Sequence, residues 1–509
     1  MKPIVWIATI VLTCATSVSA MDWPQWGGGP NRNMVSAETG LPDTFDVGKM
    51  KGKTEEVDLA TTKNVKWVAK LGSQAYGNPT VAGGRVFVGT NNQAPRDPKY
   101  KGDRGVLMCL DAGTGALNWQ LVVPKLGTGK VSDWEYLGIC SSPAVQDDRV
   151  YVVTNRCEVV CLDVKGLADG NQGISTEPTY LSTDGKAIAL SPTDADVIWR
   201  FDMRTELGVF PHNISSSGAL ILGDRLVVDT SNGQDWTHVQ IPNPRAPVLV
   251  MLDRKTGQLL GEEASGISQR IFHGSWSTPA AGTVGGKEQI LFGAPDGFLY
   301  GFDPEPAKDA DGTGILKELW RCDANPPEHR VKDGKPFKYP DKNGPSEIIA
   351  TPVFHDGLVY TAVGQDPEHG MGIGCLNCID PSGSGDVTKT HIKWQYQIDR
   401  SLSTVAVKDD LLFTADFTGY VYCFDAKTGK LNWKHDSESN IWGSCLVADG
   451  KVYVGNESGK LLIFAASKDM KLINTVDMGT SIYSTPVAAD GTLYIATQTH
   501  LYAIAAPKK

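Results

Sequence analysis

Residues 416–433 read DFTGYVYCFDAKTGKLNW, and this pattern recurs in weaker form along most of the chain. No other feature constrains the fold as tightly. The run Tyr420-Val421-Tyr422-Cys423-Phe424 is aromatic and β-branched, which suits a pleated, packed surface. Asp425 and Gly429 then supply turn chemistry, a carboxylate for nearby backbone N–H groups and a residue tolerant of positive φ. Leu431-Asn432-Trp433 opens a return strand on a large anchor. Upstream, residues 403–407 and 411–414 give two further short strands around the Asp409-Asp410 turn. One repeat is therefore a four-stranded antiparallel sheet. Such a sheet buries neither face by itself, so successive copies must stack.

The copies are counted by a small or Pro residue eight positions before an apolar one. The pairs are Pro79 with Phe87, Pro143 with Tyr151, Ala219 with Val227, Pro352 with Tyr360, Val405 with Phe413, Cys445 with Tyr453 and Pro486 with Tyr494. Pro279 joins them with Phe292 as partner, pushed on by an insertion at residues 282–287. The count is eight. A second landmark, an Asp closing the third strand, stands at Asp111, Asp163, Asp253, Asp303, Asp380 and Asp425. An outer-strand Trp follows at Trp119, Trp199, Trp320, Trp394 and Trp433. The last unit stops at residues 501–504 without a fourth strand, while an orphan strand at residues 65–71 precedes the first unit. Lending one to the other closes the ring and removes two sheet edges. The expectation is an all-β, eight-bladed β-propeller over residues 65–506, built of four-stranded antiparallel blades and closed by an N-terminal strand.

Composition agrees. Fifty-five Gly and 29 Pro without a collagen period imply many turns between short strands. The net charge of −10 argues against nucleic acid as a partner. Residues 1–20 read as a secretory signal peptide: Lys2, an apolar run at residues 4–11, and Val18-Ser19-Ala20 as cleavage site. The protein is thus expected in the periplasm or outside the cell, with no transmembrane segment after cleavage. Thr13 beside Cys14 argues against lipidation there. Residues 21–64 form an N-terminal extension, and Asp22-Trp23-Pro24-Gln25-Trp26 reads as an apolar plug for one end of the ring.

The runs Asp111-Ala112-Gly113-Thr114-Gly115-Ala116-Leu117-Asn118-Trp119 and Asp425-Ala426-Lys427-Thr428-Gly429-Lys430-Leu431-Asn432-Trp433 resemble the tryptophan-docking repeat of pyrroloquinoline quinone (PQQ)-type propellers. The resemblance gives Asp111, Gly115, Trp119, Asp425, Gly429 and Trp433 structural docking roles. It covers residues 65–506 and implies one of two functions. One is that of BamB-like and secreted PQQ-like repeat proteins, a binding or scaffold module of the cell envelope. The other is a PQQ- and Ca²⁺-dependent alcohol dehydrogenase, including the polyvinyl-alcohol type. Two departures weigh against the enzyme. No Cys-Cys dipeptide is present to form the vicinal disulfide usual over the quinone, and no CxxCH is present to hold covalent haem.

Cys109, Cys161, Cys378 and Cys423 all stand two residues before the repeat Asp, on different blades, and read as packing residues. That disposes of the Cys375/Cys378 pair as a metal knuckle. Cys140 and Cys157 fall at one end of blade 2 and are expected to form a disulfide, which an exported protein permits. Functional residues are sought in the loops of one face. Trp276, Glu347, Arg400 and Trp442, with His212 and Asn213, are expected to bind a small ligand or an envelope protein there. Glu347 and Asn213 are the Ca²⁺ candidates, and Asp366 and Glu368 the candidate bases, if the enzyme reading holds. His212, His273 and His369 come from three blades, and their spacing carries no metal signal.

Overall fold

In the computed structural model, residues 21–310, 312–337, 339–367 and 372–506 are described. Residues 1–20, read as a signal peptide and including Cys14, lie outside them, as do Glu368 and His369. Eight antiparallel sheets of at least four strands follow one another as blades. Their innermost strands are Thr80–Ala82, Ala144–Gln146, Leu220–Leu222, Ala280–Val284, Val353–His355, Ala406–Lys408, Leu446–Ala448 and Val487–Ala489, for blades 1 to 8 in order. Register follows the sequence landmark: Thr80 faces Phe87, Ala406 faces Phe413 and Val487 faces Tyr494. In blade 4 the extra residues lengthen the first hairpin, so that Ala280 faces Leu291. Blade 8 is completed from the far end of the chain, Val65–Lys70 lying antiparallel to His500–Ile504 with Trp67 opposite Ala503.

Two blades exceed four strands. Gly314–Leu316 adds in parallel to Leu259–Glu263 of blade 3, and Gly385–Asp386 adds in parallel to Glu318–Asp323 of blade 4. Both come from insertions in the following blade, and each covers an outer edge that would otherwise present unpaired backbone groups.

The Trp side chains join blade to blade. Trp67 donates its indole N–H to Ala112 O, Trp119 to Val164 O, Trp199 to Arg254 O, Trp394 to Ala426 O and Trp433 to Ser467 O. Each acceptor lies in the next blade of the ring. At Gly429, φ is +69° and a Cβ would come within 2.5 Å of the Trp394 ring, so both backbone and contact demand glycine. Trp320 breaks the pattern by bonding Gln289 Oε1 inside its own blade. On the opposite side of the third strand's pleat pairs, Cys109, Cys161, Cys378 and Cys423 face Trp119, Trp199, Trp394 and Trp433. All four thiols are free and buried, filling the space beside an indole.

Trp433 is 7% exposed and lies between Phe413 and Phe464, at ring separations of 6.1 and 5.4 Å. Asp425 instead caps an exposed turn through Thr428 N and Oγ1, at 2.9 and 2.8 Å. Trp433→Ala is therefore expected to cost about 3–5 kcal/mol, and Asp425→Ala about 1 kcal/mol. Chemical denaturation of the two variants checks the contrast; equal, negligible losses would contradict it.

The expected Cys140–Cys157 disulfide is not formed. Both thiols are free. Cys157 sits at φ +58° in its turn, with Sγ 3.3 Å from Thr230 O in blade 3, whereas Cys140 Sγ lies 3.6 Å from Leu137 O. The two side chains serve different neighbours, one across a blade boundary and one in its own loop.

The N-terminal extension runs as a floor across one end of the ring. Trp23 pairs with Val81 of blade 1, Pro24 O accepts from Val145 N of blade 2, and Pro30 O from Ala281 N of blade 4. Asn31 O accepts from Phe354 N of blade 5, the Asn33 amide bonds both backbone groups of Val407 in blade 6, and Met34 O accepts from Val447 N of blade 7. Ser36 reaches Ala488 O of blade 8. Blade 3 is met by Arg32, wholly buried, whose guanidinium donates to Ala219 O, Pro279 O, Trp26 O and Gln25 Oε1. Thus every innermost strand is stitched to one segment of about fifteen residues. Gly27 (φ +70°) makes the reversal possible, since a Cβ there would lie 2.5 Å from Arg32 Cα.

Candidate functional site

Because the floor closes one end, the axial channel is a blind cavity of about 470 Å³ open at the other face. Trp26 forms part of its lining and is fixed by an indole hydrogen bond to Thr351 Oγ1 at 2.9 Å. The loops entering each first strand supply most of the wall: Tyr76, Trp134, Asn213, Trp276, Ile349, Leu402, Trp442 and Tyr483, one from each blade. Tyr76 stacks on Tyr483 at 4.6 Å, and Trp442 meets both edge-on. Trp276 is held by indole bonds to Ile214 O and His212 O. Among the described residues, the Trp442 indole nitrogen is buried without a hydrogen-bond partner, as is Gln74 Oε1 on the same lining.

Of the charged side chains on this lining, both are acidic, Glu135 and Asp366; no Lys or Arg contributes among the described residues. Arg400, expected in the cavity, is half-buried with its guanidinium 4.6 Å above the Phe417 ring, and it is not part of the lining. Glu347 is also elsewhere. It is fully buried behind the wall, where one carboxylate oxygen accepts from Tyr339 OH and from Asp366 N, each at 3.1 Å. Burial pushes its carboxyl up to about 8. Glu347 thus shapes the Asp366 loop and does not offer its charge to a ligand. Asn213 lines the cavity with φ +57°, its backbone engaged with Val131 and Trp134.

PQQ is a planar polycarboxylate, and Ca²⁺ takes oxygen ligands. Aromatic faces for a planar group are present in Trp276 and Trp442. Cations for the carboxylates are absent from the described lining, and the two proposed calcium ligands do not share it, Asn213 lining the cavity and Glu347 lying sealed behind it. These residues do not fit the quinone and its ion.

His212 and His273 do come together, with a third residue that the sequence reading passed over, His238 from the long loop of blade 3. Ring centroids are 4.3 Å apart for His212 and His273, 5.1 Å for His212 and His238, and 5.0 Å for His238 and His273. His273 Nε2 lies 3.6 Å from Asp366 Oδ2. Nothing in the spacing of these residues announces the cluster; it arises because the loops of blades 3 and 4 share one side of the mouth, where Gly233 bridges to Gly274.

The sequence matches the family described as outer membrane protein assembly factor BamB over residues 100–271 and 317–472, more than half of the chain. No individual curated protein matches it significantly. Among solved structures, BamB from Moraxella catarrhalis is similar over 87% of this chain and 98% of its own, at 14% identity and a TM-score of 0.52. The quinohemoprotein alcohol dehydrogenase from Comamonas testosteroni aligns with 96% of this chain and 81% of its own, at 12% identity and a TM-score of 0.48. Repeat register, ring closure and family match agree: the chain belongs to the BamB family of PQQ-like repeat β-propellers.

Proposed function

We propose that the protein is a binding module of the cell envelope whose ligand or partner enters the blind cavity, and that it performs no quinone chemistry. The observation that carries this reading is the lining: six aromatic side chains, Trp26, Tyr76, Trp134, Trp276, Trp442 and Tyr483, with Glu135 and Asp366 as the charged groups. Aromatic faces attract cations, and carboxylates at the rim reinforce that attraction. The cavity therefore favours an apolar segment carrying a Lys, Arg or other cationic group, as an extended piece of a partner protein would present. A scaffold role accords with the assembly-factor family to which the chain belongs. Export rests on the signal-peptide reading of residues 1–20, and no helix among the described residues is long and apolar enough to cross a membrane.

The test is a tryptophan-fluorescence titration with short apolar peptides bearing Lys or Arg, against the same peptides bearing Glu. Basic peptides are expected to bind, and Trp276→Ala and Trp442→Ala to weaken them by about tenfold or more, roughly 1.4 kcal/mol each, with cooperative unfolding of the unliganded variants checking that the ring still folds. Equal binding of acidic and basic peptides would contradict the electrostatic reading. Quinone-dependent oxidation of primary or secondary alcohols, lost in Glu347→Gln, would replace it with the enzyme.

A further inference from the structure

We infer that His212, His238 and His273 form a binding site for one divalent first-row transition-metal ion of the Zn²⁺ kind, with Asp366 as the fourth ligand. The coordinating atoms of the three imidazoles all lie within 4.8 Å of one another. Around a tetrahedral ion with bonds of about 2.0–2.1 Å, ligand atoms stand about 3.3 Å apart. The histidines therefore need to close by at most about 1.5 Å. His238 is half-buried, and rotation of its side chain can supply most of that movement.

The tautomer of His212 is set for this. Its Nδ1 lies 2.7 Å from Gln234 O, so Nδ1 carries the proton and Nε2 keeps the lone pair. A backbone carbonyl on the non-coordinating nitrogen is the usual way a ligating imidazole is oriented. The Asp366 contact points the same way. Its Oδ2 stands 3.6 Å from His273 Nε2, longer than a good hydrogen bond and close to the spacing of two ligands on one small ion. Three nitrogens and one carboxylate oxygen suit zinc and its neighbours, whereas calcium and magnesium ask for oxygen alone.

The surroundings keep the site shaped. Trp276 packs against His212 and His273 at 6.2 and 5.5 Å, and Tyr339 lies 5.8 Å from His273. Trp276 and Asp366 also line the cavity, so the bound ion stands at the cavity wall on the side of blades 3 and 4. Asp366 belongs both to this site and to the charge of the cavity, so the peptide titration is made on metal-free protein.

Chelator-stripped full-length mature protein is titrated with Zn²⁺ by calorimetry and with Co²⁺ by visible absorption. One equivalent is expected to bind, raising the melting temperature, with Co²⁺ giving intense bands of tetrahedral character. His238→Ala and His273→Gln should each weaken Zn²⁺ by more than the roughly 10–100-fold that losing an outer-shell partner costs. Asp366→Asn should weaken it less and alter the cobalt spectrum. Melting of the metal-free variants checks folding; His238 is partly exposed, so His238→Ala remains informative even if His273→Gln unfolds. Trp442→Ala, on blade 7, should leave the metal titration unchanged while weakening the peptide, which separates this inference from the cavity reading. No saturable binding, or one-equivalent binding untouched by His238→Ala, would overturn the site.

Discussion

Deletion of residues 64–71 should convert the protein into an aggregating species without a cooperative unfolding transition. Val65–Lys70 is the outer strand of blade 8, and its removal leaves His500–Ile504 with an unpaired edge. It also removes Trp67, which is 3% exposed, packs on Tyr494 and donates to Ala112 O of blade 1. The seam between the last and first blades then loses strand, indole and hydrogen bond together. Open strand edges recruit other chains, and a ring that is not closed lacks the neighbour contacts its terminal blades need. Size-exclusion chromatography and thermal unfolding read the outcome. A soluble monomer with the parent melting curve would mean that closure contributes nothing.

Arg32→Ala should cost about 3–5 kcal/mol, because it leaves several buried oxygens without donors at about 1–3 kcal/mol each. Arg32 has no carboxylate partner among the described contacts. Its charge is held by three main-chain carbonyls and the Gln25 side chain, with burial lowering the guanidinium to about 9, so it remains charged at neutral pH. Alanine would leave those oxygens buried without donors and open a cavity where the extension turns back. Gln25→Ala, which removes one of the four contacts, should cost about 1 kcal/mol. Denaturant unfolding compares them; a loss below that of Gln25→Ala would show that the guanidinium is not the anchor.

The blade framework was legible because each unit repeats a local requirement. Pro79 to Phe87, Asp425 to Gly429 and the returning Trp433 are fixed by strand length and turn chemistry, which sequence records directly. The closing strand could be deduced because a four-stranded unit was one strand short. Trp320 keeps the outer-strand place its repeat register predicts, opposite Gly301, but register does not record side-chain direction, and its indole turns inward to Gln289. The disulfide failed for a related reason. Topology placed Cys140 and Cys157 at one end of a sheet, but side-chain direction depended on a left-handed turn at Cys157.

The site was less legible than the ring. Aromatic residues at the starts of the first strands pointed to Trp276 and Trp442, both of which line the cavity. Glu347 and Arg400 were placed there by the same loop logic, yet one is buried beneath Asp366 and the other lies over Phe417. His238 escaped notice because it sits mid-loop with no periodic neighbour, and only the pairing of Gly233 with Gly274 brings it to His273. The route of the extension was likewise invisible. A plug was expected from the Trp pair, but contact with eight innermost strands runs through the extension's main chain together with the side chains of Arg32, Asn33 and Ser36, none of which stands in a repeat.

A closed floor beneath a blind cavity is tested most directly by amide hydrogen exchange on the intact chain from residue 21 onward. The amides of Val81, Val145, Ala281, Phe354, Val407 and Val447 all donate to the extension. They should exchange as slowly as the central strands of the blades, because they open only when the ring does. Fast exchange at these amides beside protected central strands would mean that the extension lies off the ring axis and that the channel runs through.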